Sequence, residues 1–162
     1  YEKFYFSPGD LGFQNHSTSF GEVGILICWD QWFPEAARLT ALKGAVLLFC
    51  PTAIGWLDED CPKTCQAQCS AWETVQRGHA VANGVFWAAT NRVGREGKLK
   101  FWGQSFVCDP FGRMLGKASS DQEEILIVEC DLSLIEKTRE EWPFLQDRRI
   151  ESYQDLSTRF ID

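Results

Sequence analysis

The run Gly24-Ile25-Leu26-Ile27-Cys28-Trp29-Asp30-Gln31-Trp32-Phe33-Pro34-Glu35 decides the fold. Val23 to Ile27 is too short for a helix and too continuously apolar for an exposed strand, so it reads as a buried strand. Pro34 suits the first turn of a helix, where its missing N–H costs nothing. Ala36, Ala37, Leu39 and Leu42 then continue on one broad helical face. Cys28 is thereby placed on a sharp strand-to-helix turn. Such a turn lifts a side chain clear of a sheet and aims nearby backbone N–H groups at whatever that side chain attacks. The same pattern also fits a buried cysteine packed as a small hydrophobe at a strand end.

Outward from this run, residues 1–19 mix aromatics with Pro8-Gly9-Asp10 and Gly12 and read as a loop holding a turn. Phe20 to Ile27 reads as a strand or a hairpin closing on Gly21. The helix spans Phe33 to Lys43 with Gly44 as its cap, and Val46 to Cys50 forms the next buried strand, ended by Pro51. Thr52 to Lys63 is a loop carrying Asp58, Glu59 and Asp60. A helix from Thr64 to Asn83 sets Ala71, Trp72, Val75, Ala80 and Val81 on one face and stops at Gly84. Val85 to Thr90 is an apolar strand, and Gly94 to Gly97 a turn. Phe101 to Cys108 pairs with Arg113 to Lys117 across Asp109-Pro110-Phe111-Gly112, a strong hairpin signal. Glu124 to Cys130 gives a further strand and Leu132 to Glu141 a charged helix. From Trp142 to Asp162 the chain has no period and reads as an arm that packs on a neighbour, which makes a homo-oligomer the expectation. Strands alternate with helices early and pair as hairpins later, which predicts an α/β domain with helices on one side of a mixed sheet.

Composition narrows the function classes. The 162 residues suffice for one domain with a real core, and a 44% hydrophobic, 14% aromatic composition is that of a globular chain. A net charge of −7 without a basic patch argues against nucleic acid. No apolar run is long enough for a membrane span, and no signal-peptide pattern opens the chain. The cysteines number seven, an odd count that suits reduced thiols in the cytoplasm better than a disulfide framework.

Cys28-Trp29-Asp30-Gln31-Trp32-Phe33-Pro34-Glu35 resembles the nucleophile motif of the nitrilase superfamily, the carbon–nitrogen hydrolases. Within it the resemblance runs to the N-carbamoylputrescine amidases. It continues through Tyr5-Phe6-Ser7-Pro8-Gly9-Asp10, Pro51-Thr52-Ala53-Ile54-Gly55, Gly78-His79-Ala80, Asn91-Arg92-Val93-Gly94 and the stretch from Trp142 to Arg149. The resemblance implies a four-layer αββα sandwich, of which residues 1–162 supply about the second half. The chain then looks like the C-terminal part of a single domain, with 142–162 as its arm. One sheet is expected to lack strands and to expose an apolar face.

The resemblance also implies a chemistry: hydrolysis of a carbamoyl or amide C–N bond through an acyl-cysteine, without metal or cofactor. Cys28 matches the nucleophile, and Trp29 donates its backbone N–H to the oxyanion. The superfamily's Glu base and Lys lie upstream of Tyr1, so the chain alone is expected to be inactive. Glu2, ahead of Phe4-Tyr5-Phe6-Ser7-Pro8-Gly9, matches a second active-site glutamate. Gln31, Trp32, Ile54 and Asp58 are the expected substrate contacts. Gln31 and Trp32 stand where relatives that act on N-carbamoyl amino acids carry a carboxylate-binding arginine, and the first guanidinium comes only at Arg38. An amine-ended carbamoyl substrate fits better, N-carbamoylputrescine giving putrescine, ammonia and carbon dioxide in polyamine synthesis. The rival readings are another amidase or a ureidopropionase-like enzyme, and an inactive fragment that acts only by association. Cys61, Cys65 and Cys69 recur every four residues, which is not the short clip of structural zinc, so they read as packing thiols. His79 reads as a structural residue on a helix face, and His16 as a loop residue.

Overall fold

The computed structural model describes residues 2–161, and side chains over 4–161. The helices are α1 (Glu2–Tyr5), α2 (Pro34–Leu42), α3 (Pro62–Asn83) and α4 (Ser133–Glu141). The strands are β1 (Asn15–Thr18), β2 (Gly21–Ile25), β3 (Ala45–Thr52), β4 (Gly55–Leu57), β5 (Phe86–Asn91), β6 (Val93–Glu96), β7 (Leu99–Trp102), β8 (Phe106–Cys108) and β9 (Met114–Lys117). A six-stranded sheet runs β1-β2-β3-β5-β8-β9, parallel at β2-β3 and β3-β5 and antiparallel elsewhere. A second, antiparallel sheet runs β4-β7-β6. The expected α/β class with a mixed sheet is what the chain forms.

Helices α2 and α3 cover one face of the large sheet. Leu48, Cys50, Trp87, Ala89, Phe106 and Cys108 point into that layer and are buried. Helix α2 presents small residues to the sheet: Ala36, Ala37, Thr40 and Ala41 are buried, whereas Leu39 and Leu42 are 46% and 44% exposed. The broad face expected to include those two leucines is therefore displaced toward Thr40. Close approach explains the displacement, since a Cβ on Gly24 would lie 3.0 Å from Leu48 Cδ2 and 3.1 Å from Thr40 Cβ. Leucines would not fit in that seam.

The opposite face is open. Ile25, Phe49, Ala88, Val107 and Gly116 are register partners across β2, β3, β5, β8 and β9. Of these, Ile25 is 44% and Phe49 37% exposed, so the run at 23–27 is buried at Val23, Gly24 and Leu26 and opens at Ile25 and Ile27. The expected strand at 124–130 does not form. A Cβ on Gly116 would meet Val128 Cγ2 at 2.9 Å and Leu126 Cδ1 at 3.1 Å, which sets this segment over the sheet face and not beside its edge. Its other residues, Ile125 and Ile127, are 91% and 90% exposed. The segment alternates as a strand does and belongs to a second layer in which the described residues offer it no ladder.

Several boundaries differ from the sequence reading for local reasons. Strand β3 runs through Pro51 because Phe49 O accepts from Leu26 N at 2.9 Å, which turns the Pro51 nitrogen toward a side where β2 has already ended. The single strand expected over 101–108 is broken between β7 and β8 by Gly103 and Gln104, at φ 57° and 58°. A Cβ on Gly103 would stand 2.7 Å from Val93 Cγ1, so only glycine makes this bend. Only 106–108 then pairs with β9, while β7 crosses to the small sheet. The turn expected at 94–97 lies largely within β6, which pairs back on β7. The loops expected over 1–19 and 52–63 contain α1, the exposed edge strand β1, and β4. Trp56, Trp102, Trp72 and Phe106, in that order of contact, form an aromatic junction between the sheets, with successive ring centroids 5.3, 5.9 and 5.4 Å apart.

Candidate active site

Between β2 and α2 the chain reverses in a 3-10 turn at Cys28–Trp32, and Cys28 itself sits at φ 51°. A non-glycine residue in this left-handed region is strained by about 1–2 kcal/mol. Asp30 holds the turn: its Oδ2 accepts from Ile27 N at 3.0 Å while its own N–H donates to Ile27 O at 3.1 Å. Phe33 N also donates to Asp30 O at 3.1 Å, and Pro34 opens α2 directly after. The sharp turn read from the sequence is present.

The groups behind the thiol are linked, and all but the half-buried Thr52 are fully buried. Thr52 Oγ1 lies 3.3 Å from Cys28 Sγ, and Gln31 Nε2 lies 3.4 Å from Thr52 Oγ1. Trp72 Nε1 donates to Gln31 Oε1 at 2.7 Å, and the Cys50 thiol approaches the same oxygen at 3.9 Å. Burial pushes the Cys50 thiol up to about 12, with the neighbouring Cys28 and Asp30 adding to the effect. Cys50 therefore stays a thiol, although it is the second sulfur of the same network. Gln31, one of the expected substrate contacts, is fully buried, and its amide is engaged by Thr52 and Trp72. Trp32 packs against the core and carries an indole N–H without an acceptor among the described residues. Its ring meets that of Trp29, 52% exposed, at 6.3 Å.

The loop after β3 is pinned by Asn91. Its Oδ1 accepts from Ile54 N at 2.9 Å, and its Nδ2 donates to Ile54 O at 3.1 Å and Gly103 O at 3.0 Å. Ile54 is thus fixed through its backbone. The acidic cluster is bound into the small sheet. Asp58 accepts from Arg95, Glu59 is 3.9 Å from Lys98, and Asp60 Oδ2 accepts from Leu57 N at 2.9 Å. Glu2 opens α1 through its backbone, and its side chain lies outside the described residues. Among the described residues no three His, Cys, Asp or Glu side chains gather as a metal ion requires, and no helix is long and apolar enough to cross a membrane.

His79 is buried, and its Nε2 faces Gln31 O at 2.9 Å; a carbonyl only accepts, so that nitrogen carries the hydrogen. Its pKa is lowered from 6.5, chiefly by desolvation, against the raising effects of the Gln31 carbonyl and Glu35. A depressed folded pKa means that the unfolded chain takes up the proton first as pH falls. Stability from His79 is therefore complete above about 6.5 and is lost below it. The denaturation midpoint should drop between pH 7.5 and pH 5.5, and the His79→Gln variant should show a shallower drop.

Sequence reasoning did not single out Asp30, Thr52, Trp72 or Asn91 for these roles. Asp30 stands three residues after Ile27, the spacing of a reciprocal cap, and Asn91 is a polar residue ending an apolar strand. Thr52 and Trp72 gave no signal, because their partners are 24 and 41 positions away.

Comparison with known proteins bears on the family and the fold. The family model for carbon-nitrogen hydrolases matches residues 1–140. The chain is 42% identical to an N-carbamoylputrescine amidase of Arabidopsis thaliana over 97% of its own length and 54% of that protein's. It is 39% identical to a citrullinase of Francisella tularensis, over 98% and 56% respectively. A carbon-nitrogen hydrolase from Helicobacter pylori superposes with a TM-score of 0.96 at 54% identity, over 99% of this chain and 57% of the other. A mutant amidase from Nesterenkonia sp. AN1, with an acetamide moiety added covalently at its active site cysteine, superposes at 0.76 and 32% identity, covering 95% of this chain and 51% of that one. The chain spans about half the length of the relatives it matches. With a family match over most of its length and a partial nitrilase fold, the chain belongs to the carbon-nitrogen hydrolase family, the nitrilase superfamily.

Proposed function

We propose that the chain carries the nucleophile half of an enzyme that hydrolyses a terminal carbamoyl group on an alkylamine, with N-carbamoylputrescine as the substrate. The supporting observation is Cys28, held in a strained left-handed turn with the Thr52 hydroxyl 3.3 Å from its sulfur. Cys28 Sγ attacks the carbamoyl carbon after losing its proton to the superfamily's glutamate base, which lies outside this chain. The oxyanion is taken up by the backbone N–H of Trp29, the residue that follows Cys28 in the turn. The amine leaves with a proton, and water hydrolyses the acyl-cysteine. Trp29 and Trp32 wall the site, and Ile54 lines it on a loop fixed by Asn91.

Both named relatives point to a ureido group on a short carbon chain with a distal ammonium; citrulline differs from N-carbamoylputrescine by an added carboxylate. That carboxylate needs a guanidinium, and Arg92 and Arg95 are already paired with Glu96 and Asp58. A desolvated charge without a partner costs several kcal/mol, which corresponds to at least about a hundredfold in kcat/KM. In a chain extended to the length of the relatives, N-carbamoylputrescine should therefore outpace citrulline by that margin. Asp58→Asn, which frees Arg95, should narrow the ratio; an unchanged ratio would place Asp58 outside the pocket. Faster turnover of citrulline would sink the putrescine assignment and leave the family standing.

A further inference from the structure

We propose that Thr52 is a dedicated hydrogen-bond donor to the nucleophile, and that Trp72 and Gln31 are positioning residues that give its hydroxyl one direction in which to point. The inference rests on the reading of Cys28 as nucleophile.

The direction follows from what each group is able to do. An indole N–H only donates, so the 2.7 Å contact with Trp72 puts the amide oxygen of Gln31, and not its nitrogen, at that end. The Gln31 NH2 group is left facing Thr52 Oγ1 at 3.4 Å, and it too only donates. With a lone pair occupied by that donor, the hydroxyl sends its hydrogen onward to Cys28 Sγ at 3.3 Å. The chain Trp72 to Gln31 to Thr52 to Cys28 is polarised toward the sulfur from end to end. An O–H donor aimed at sulfur favours thiolate over thiol.

The scaffold behind the relay is rigid. Trp72 and Gln31 are fully buried, so no water competes for the amide. His79 Nε2 holds the Gln31 carbonyl at 2.9 Å and fixes its backbone. Thr52 ends β3 opposite Asn91, and its own carbonyl accepts from Arg92 N at 3.2 Å. The donor thus stands on a sheet while the nucleophile stands on a strained turn, and the relay ties the two together. Cys50, whose thiol donates toward the same Gln31 oxygen, reinforces the amide orientation without entering the chain of donors.

The test uses a chain extended to the length of the relatives, with Cys28 alkylation by iodoacetamide followed across pH by mass spectrometry of the Cys28 peptide. Thr52→Val keeps the shape and removes the donor. It should raise the midpoint of the alkylation profile by about one pH unit and lower kcat about 10- to 100-fold with KM nearly unchanged. Thr52→Ser should restore both. Trp72→Phe frees the Gln31 amide to rotate and should move the midpoint in the same direction by less. Should Thr52→Val fail to fold, the Ser and Phe variants carry the test, Ser holding the wild-type profile and Phe shifting it. A wild-type alkylation profile in both Thr52→Val and Trp72→Phe would reduce Thr52 to packing and overturn the proposal. Retained turnover in Cys28→Ala would instead overturn the nucleophile reading, so the two failures are told apart.

Discussion

Cys28→Ala, in a chain extended to the length of the relatives, is expected to lose turnover by at least about 10⁴-fold while keeping its fold. Alanine accepts the left-handed turn as cysteine does, and the Asp30 bonds that close the turn involve no atom of the Cys28 side chain. No other thiol is placed to substitute. Burial pushes Cys50 and Cys108 up to about 12, which leaves them without thiolate near neutral pH. Cys61 is the thiol to watch. It is exposed at the start of α3, and hydrogen bonds from the Thr64 hydroxyl and backbone lower its pKa. A quenched reaction should carry its acyl mass on the Cys28 peptide. An adduct on Cys61 that persists with turnover would move the active site to the far end of the β4–α3 loop.

Residues 1–162 alone are expected to show no amidase turnover above background, even when folded. The base and the lysine of the superfamily are matched by no residue here, and each such loss costs about 10² to 10³ in rate, acting together with the rest of the site. Folding is to be checked first by circular dichroism, because the open sheet face, with Ile25 and Phe49, and the isolated segment with Ile125 and Ile127 invite association. Mixing in the N-terminal half of a full-length relative should restore turnover and protect those side chains from solvent. Robust activity of 1–162 by itself would mean that the catalytic groups have been misread.

The turn at Cys28 was legible in the sequence because three local signals agree there: an apolar run, a helix-opening proline and no room for a longer connection. Helices α2, α3 and α4 were legible to within a few residues, whereas α1 lies in a stretch that reads as a loop. What periodicity does not carry is distance through space. Gln31 reads locally as a polar residue next to a nucleophile, and so as a substrate contact. Only the fold brings Trp72 to its amide and buries it. The acids at 58–60 likewise read as available charge, until β6 and β7 bring Arg95 and Lys98 alongside. The break at Gly103 is a third case, since a glycine followed by a glutamine announces no change of sheet. Segment 124–130 has the alternation of a strand, but a strand is a property of a pair, and its partner is not among the described residues.

The left-handed backbone at Cys28 sets the protein's own stability against the nucleophile role proposed for that residue. Glycine occupies that conformation without strain, and any selection for heat resistance alone would favour it there. The cysteine is held in a conformation that disfavours a side chain, so, with Cys28 as the nucleophile proposed above, the variant most stable at this residue is expected to be one without activity.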